Sequence, residues 1–108
     1  MIYRQGDILL QKIDSLPAVK ICKQSMEGEE IKDAIILSLG EATGHKHQLI
    51  KQDSKLVKSV NLDQFFLLVN SPSDLTHEEH TKITLPKGNY RVVRQRTYLP
   101  ESIQYVAD

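Results

Sequence analysis

Apolar residues along the chain occur mainly in short runs separated by Gly, Pro, Asn and Asp. Runs of this kind, bounded by turn residues, predict β-strands and not long amphipathic helices. Their number and spacing predict an all-β fold, either a small β-barrel or a β-sandwich, in a single domain covering residues 1–108. The predicted strands are Ile8–Ile13, Ala18–Cys22, Ala34–Leu39, His47–Ile50, Leu56–Val60, Phe65–Val69, Ile83–Leu85 and Tyr90–Leu99.

Two segments carry more specific local signals. Ser71, Pro72 and Asp74 fit the N-cap, first and third positions of a helix, so we expect at most one short helical turn near residues 72–80. Further along the chain, Pro86 and Gly88 have the residue types of a tight turn. This second pattern predicts a hairpin between the strand ending at residue 85 and the strand beginning near residue 90.

Composition narrows the class of protein. The 108 residues include 14 Lys plus Arg and 14 Asp plus Glu, so the net charge is zero with the four histidines neutral. That balance argues against bulk electrostatic binding of nucleic acid or membrane. Cys22 is the only cysteine, which excludes an intrachain disulfide and favours a reducing compartment. The longest apolar run, Phe65–Val69, is far too short to span a membrane, and the N-terminal residues lack an apolar signal core, so we expect a cytoplasmic protein.

All four histidines lie in two doublets, Gly44-His45-Lys46-His47 and His77-Glu78-Glu79-His80. Positions i and i+2 of a strand point to one face, so His45 and His47 can approach one ion. Positions i and i+3 share a face on a helix or turn, which would bring His77 and His80 together. Either doublet alone is typical of exposed polar residues. Both together favour a shared metal site.

The chemistry of the ion depends on the ligand number. Four imidazoles would close a structural zinc site, whereas three with a water would leave a position open for catalysis. Two or three histidines with Glu79 resemble the ligands of iron, manganese or nickel sites. We expect a divalent transition metal, zinc first, with Glu78 and Glu79 as candidate catalytic carboxylates and Glu41 as a further one. The order His-Glu-Glu-His matches neither zinc-protease helix motif.

Arginines near the C-terminus form the second candidate site. On a regular strand Arg94 and Arg96 share a face with Tyr90 and Val92, and paired arginines bind phosphate or carboxylate groups. They would suit a small anionic substrate beside the metal. The alternatives are a nucleic-acid surface with stacking tyrosines, which the neutral charge disfavours, and a solvated strand face.

The quoted motifs resemble a family of small, largely uncharacterised microbial and phage proteins. The resemblance rests on Arg4-Gln5-Gly6-Asp7, the two histidine doublets, Leu85-Pro86-Lys87-Gly88-Asn89-Tyr90 and Arg94-Gln95-Arg96, and it implies no particular reaction. His45 and His47, with Gly40 upstream, also resemble the His-x-His element of the metal-binding cupin barrels. The chain departs from cupins because no glutamate follows His47 at the expected spacing, and its later histidines precede the Pro-x-Gly segment.

Two classes of function therefore remain open. The first is a metal-binding β protein, either an enzyme acting on a small anionic substrate or a structural or storage site. The second is a nucleic-acid or protein-interaction module without catalytic activity. In either class, open strand edges would allow the chain to assemble into a homo-oligomer.

Overall fold

A computed structural model describes residues 1–26, 30–39, 45–50 and 53–94. Within these ranges the chain forms strands and turns but no helix. The all-β prediction is thus confirmed. The strands of the described ranges are β1 (Ile2–Gln5), β2 (Ile8–Ile13), β3 (Val19–Ile21), β4 (Ala34–Leu39), β5 (Lys46–Ile50), β6 (Ser54–Ser59), β7 (Phe65–Val69), β8 (Ser73–Leu75), β9 (Ile83–Leu85) and β10 (Gly88–Arg94).

Six strands form one antiparallel sheet, here called the main sheet, in the order β1-β2-β10-β7-β6-β3. β1 and β2 are joined by the two-residue turn Gly6-Asp7, with Gln5 paired to Ile8. In the described part of the chain β1 and β3 are the edges of the main sheet, so it does not close into a barrel. The sandwich, not the barrel, is the predicted architecture that fits.

Two strand pairs complete the fold. β4 pairs with β5, with a shift of register between Ile36 and Ser38, and β8 pairs with β9. An isolated antiparallel bridge between Gln48 and Thr76 connects β5 to the end of β8. This bridge positions the histidine segments, as described below.

The core lies where these strand pairs pack against one face of the main sheet. On β2 and β10 alternate residues are buried, Ile8 and Leu10 on one strand and Tyr90 and Val92 on the other, as the period of two in a strand predicts. The ring of Tyr90 is fully buried, makes an edge-on contact with Tyr3, and donates its hydroxyl to the carbonyl of Pro86 at 2.6 Å. The other buried core residues are Ile8, Leu10, Ile35, Leu37, Leu49, Leu56, Leu67, Val69, Leu75, Leu85 and Val92.

Two local predictions need correction. The residues read as a helix start instead form β8, because Ser73–Leu75 pairs with Ile83–Leu85. The hairpin predicted around Pro86 does not form either. β9 pairs with β8, whereas β10 lies between β2 and β7 in the main sheet. Pro86-Lys87 therefore changes the chain from one sheet to another.

No helix in the described ranges is long and apolar enough to cross a membrane.

Candidate functional site

The two histidine doublets meet because β5 and the segment after β8 run antiparallel. The backbone of Gln48 donates to Thr76 at 3.0 Å, and Thr76 donates back at 2.9 Å. In an antiparallel pairing, the residue before Gln48 lies opposite the residue after Thr76. These residues are His47 and His77, and their ring centroids are 4.3 Å apart.

The same alignment continues outward by two more residues. The backbone N–H of Lys46 donates to Glu78 Oε1 at 2.9 Å. One position further, His45 Nδ1 lies 3.3 Å from Glu79 Oε1. Each carboxylate of the second doublet thus has a partner in the first, so the acidic residues help hold the doublets in register.

The four imidazoles form one cluster, here called the histidine cluster (His45, His47, His77 and His80). Ring centroids are 5.6 Å apart for His45 and His77, 4.4 Å for His77 and His80, and 5.8 Å for His47 and His80. His47 is buried, whereas the other three are partly exposed. The predicted convergence of the doublets therefore occurs, although His77 and His80 lie on an irregular loop and not on a helix.

The β1–β2 hairpin supplies a third element of the site. The side chain of Gln5 is buried, and its amide nitrogen donates to the carbonyls of Leu75 at 3.0 Å and Thr81 at 2.9 Å. Its amide oxygen lies 2.8 Å from His47 Nδ1. Gln5 thus holds both ends of the loop that carries His77 and His80, and contacts the buried imidazole as well.

Asp7 completes the surroundings of His47. Its Oδ1 lies 3.1 Å from His47 Nε2, and its side chain is 39% exposed. The hydrogen bond with His47 holds the pKa of Asp7 below its usual value, with a smaller contribution from the nearby charge of Arg94. Arg94 approaches Asp7 because it pairs with Ile8 across β2 and β10. The site therefore combines a carboxylate, imidazoles and a cation.

Gly6 lies against two rings of the histidine cluster. Its φ is 60°, and a Cβ at this position would stand 2.7 Å from His80 Nε2 and 3.1 Å from His47 Cε1. Two-residue hairpins with a positive φ at the first turn position favour glycine there. Both the turn conformation and the close approach of the imidazoles thus require a residue without a side chain at this position.

Electrostatics favour neutral imidazole at His77. Burial lowers the pKa of His77, and charge on the adjacent His47 and His80 lowers it further. The backbone N–H of Lys46 lowers the pKa of Glu78, so this side chain is a carboxylate committed to that hydrogen bond. Ligation needs neutral imidazole and ionised carboxylate, so both directions suit a cation site.

The donor atoms are not yet arranged around a common point. Among the described residues, no group of three or more His, Cys, Asp or Glu side chains could hold a metal ion as it stands. One of the ring nitrogens is also engaged already, because the backbone N–H of Glu79 donates to His77 Nδ1 at 3.0 Å. His77 must give up this bond before it can offer that nitrogen to an ion.

Sequence reasoning selected part of this site. It identified the four histidines, Glu78 and Glu79, which the structure brings together. Arg94 lies at its edge, whereas Arg96 and Glu41 fall outside the described residues. It assigned no role in the site to Gln5 and Asp7, although both belong to the Arg4-Gln5-Gly6-Asp7 segment that carries part of the family resemblance.

The fold and site together define a small, sandwich-like all-β protein with a histidine cluster at the junction of three strand pairs. The chain belongs to the family described as "Domain of unknown function (DUF8820)", whose model matches residues 4–95. This range contains all four histidines, together with Gln5 and Asp7. Comparison with curated proteins and with solved structures gives no match.

Proposed function

We propose that this protein binds one divalent transition-metal ion in the histidine cluster, with zinc favoured and iron, manganese or nickel as alternatives. The observation that carries the proposal is the gathering of every histidine of the chain into one cluster. Four unrelated surface histidines would have no reason to pack ring against ring. Neutral imidazole is the commonest protein ligand for these ions.

Metal binding would require a small rearrangement of the loop. His47 is buried on β5 and serves as the fixed ligand, whereas His77 and His80 belong to an irregular, partly exposed segment. Rotation of His77 away from the Glu79 N–H would free its Nδ1 for the ion. Glu79 is exposed and adjoins His45, so it is the carboxylate better placed to act as a ligand or general base.

A small anion is the ligand that we propose for the bound ion. Arg94 contributes positive charge beside Asp7, at the same end of the β1–β2 hairpin as His47. An arginine next to a divalent cation would attract phosphate or carboxylate groups. If the ion keeps an open coordination position, such an anion would be the substrate of a metal-dependent enzyme.

Three finer features go with this proposal. The Gly-His-x-His and His-Glu-Glu-His segments would be the functional motifs of the family. The His-x-His pair, with His47 on β5 and His45 just before this strand, would act as it does in cupins, although the open main sheet differs from a closed barrel. The site would operate in the cytoplasm, where a reduced Cys22 is expected.

Metal content tests the proposal directly. Tag-free protein purified without chelators should carry close to one ion per chain by elemental analysis, or should take up zinc on dialysis. His47→Gln should lose the ion, and His80→Gln provides a second variant at a more exposed position. Lys55→Ala, at an exposed position of β6, should retain it. A wild-type protein that stays metal-free after dialysis against zinc would exclude this function.

A second candidate function rests on a different surface. A groove of about 660 Å³ is lined by Lys58, Arg91 and Arg94, together with Phe65. The Lys58 ammonium lies 5.5 Å from the centroid of the Phe65 ring. Basic groups beside a partly exposed aromatic ring suit a nucleic-acid interaction module.

Salt-dependent binding tests this alternative. Retention of a single-stranded oligonucleotide that falls with added salt and with Arg91→Ala would support it. Unchanged retention in Arg91→Ala would count against the groove. Light scattering across a concentration series would test the homo-oligomer that the open strand edges allow.

A further inference from the structure

The orientation of the Gln5 amide is determined by its neighbours. Its nitrogen donates to two carbonyls, those of Leu75 and Thr81. A flipped amide would place its oxygen against both carbonyl oxygens, which offer only lone pairs. The amide oxygen therefore faces His47 and must accept a hydrogen bond. It follows that His47 carries a proton on Nδ1 and donates it to Gln5 at 2.8 Å.

With the proton on Nδ1, the other ring nitrogen of His47 faces an oxygen atom that also carries lone pairs. In a neutral imidazole with Nδ1 protonated, Nε2 presents a lone pair. His47 Nε2 lies 3.1 Å from Asp7 Oδ1, and a carboxylate oxygen also presents lone pairs. Two acceptors at this distance in a partly buried position repel each other. Beyond the charge of Arg94 near Asp7, the contact itself accommodates either a proton on Nε2, donated to Asp7, or a metal ion held by both atoms.

The distance between His47 Nε2 and Asp7 Oδ1 matches the distance expected between two ligand atoms on one metal ion. Ligands about 2.0–2.1 Å from zinc, at angles between octahedral and tetrahedral, are ~2.8–3.4 Å apart. The observed 3.1 Å falls in this range. The adjacent Gly6 has no side chain to occupy the space, and His80 Nε2 lies on the same side of it as the His47 ring, only 2.7 Å from where a Cβ would stand.

We propose that Asp7 is a metal ligand paired with His47 Nε2, and that Gln5 is the positioning residue that fixes His47 in the tautomer this pair requires. This inference rests on the proposed metal-binding function and changes its ligand set. His47 and Asp7 form the part of the site already in place, and His80, whose Nε2 lies against Gly6, is the candidate third ligand. His77 would follow only after rotation, because its Nδ1 is occupied.

Gln5 can position His47 because its amide is held by the backbone carbonyls of Leu75 and Thr81, which are not metal ligands in this proposal. A histidine ligand ordinarily donates its second ring N–H to a fixed acceptor, and loss of that acceptor weakens metal binding 10–100-fold. Here the acceptor is an amide oxygen that cannot turn away, since the same amide holds both ends of the 75–81 segment. The hairpin thus links the conformation of the histidine loop to the tautomer of the buried ligand.

Calorimetric titration with Zn²⁺ alone tests the ligand set. Wild type should bind one ion, and Asp7→Asn should bind at least ~10-fold more weakly, since an amide is a poor substitute for a carboxylate. Asparagine suits a turn position after glycine, so this variant should fold. The matched control is Asp63→Asn, which removes an 88% exposed carboxylate from the Lys58 pair and should leave zinc affinity unchanged.

Gln5→Met tests the positioning role. It should weaken zinc binding by about 10–100-fold. Its matched control is Gln24→Met, because Gln24 is also a buried amide with three comparable hydrogen bonds, made to Leu56 and Cys22. The control should lower stability but leave zinc affinity unchanged, which separates positioning from general damage to the fold.

Nitrogen-15 NMR spectra of the imidazole rings report the tautomer of His47 directly. A general loss of stability would not change this signal. In zinc-loaded wild type, His47 should show a protonated Nδ1 and a metal-bound Nε2, and Gln5→Met should lose this single-tautomer signature. Equal zinc affinity in wild type and Asp7→Asn would overturn the inference and leave metal binding intact. Failure of wild type to bind zinc would overturn the proposed function itself, with the His47–Asp7 contact then a protonated ion pair.

Discussion

Replacing Gly6 with alanine should destabilise the protein by about 2–3 kcal/mol. The φ of 60° costs an L-residue about 1–2 kcal/mol. The new Cβ would also stand 2.7 Å from His80 Nε2 and 3.1 Å from His47 Cε1. Overpacking of this kind costs about 1–3 kcal/mol, and the lower end applies because the partly exposed His80 ring can rotate.

Urea unfolding, extrapolated to water, is the assay for this substitution. A loss of 2–3 kcal/mol corresponds to a fall of roughly 10–20 °C in Tm for a chain of this size. Gly6→Asn should lose less, because asparagine tolerates positive φ while carrying the same Cβ. The double variant Gly6→Ala/His80→Ala should recover about 1 kcal/mol of the loss as coupling between the two sites.

The reasoning has two separable parts, and the variants distinguish them. A loss below about 0.5 kcal/mol in Gly6→Ala would show that the hairpin neither needs positive φ nor touches the cluster. Strict additivity of Gly6→Ala and His80→Ala would keep the backbone argument but refute the contact between the turn and the His80 ring.

Three further predictions address other parts of the molecule. Gln5→Met should lower the free energy of unfolding in urea by about 2–4 kcal/mol, because buried hydrogen-bonding groups would lose their partner. A loss under about 1 kcal/mol would contradict the role of Gln5 in holding both ends of the loop that carries His77 and His80. Burial raises the pKa of Tyr90, so stability should be complete below about pH 10 and decline as the pH rises towards the folded-state pKa. Tyr90→Phe should show less of this alkaline decline, and an equal decline would refute the assignment. Burial also raises the pKa of Cys22, so its alkylation at pH 8 should be slower than that of a free peptide thiol until urea is added; equal rates would contradict this.

Strand positions that depend on local pattern were accessible from the sequence. Phe65–Val69 is an apolar run bounded by turn residues, and it forms β7 with the predicted bounds. Ser73–Leu75 was missed because three mostly polar residues carry almost no periodic signal, and the pairing with β9 decides their conformation. The turn residues around Pro86 indicated a change of direction but not which strand would be the partner, since pairing is decided by tertiary contacts.

The candidate site was likewise only partly predictable from the sequence. Histidine doublets stand out in a sequence because the residue is scarce and chemically distinctive, so the cluster was predictable. Its geometry depended on the Gln48–Thr76 bridge, which no local pattern reports. Gln5 and Asp7 contact His47 from 42 and 40 positions away. Ordinary polar residues in a hairpin acquire such a role only through the fold.

X-ray absorption at the zinc edge tests the central claim most directly, with the wild-type protein loaded with one equivalent of Zn²⁺. The histidine site predicts a first shell of nitrogen and oxygen atoms at about 2.0–2.1 Å, outer-shell scattering from imidazole rings, and no sulfur at about 2.3 Å. In His47→Gln, which should lose the ion, the added zinc should show no imidazole scattering. A wild-type spectrum without imidazole scattering, or one with a sulfur shell from Cys22, would contradict the assignment of the histidine cluster as a metal centre.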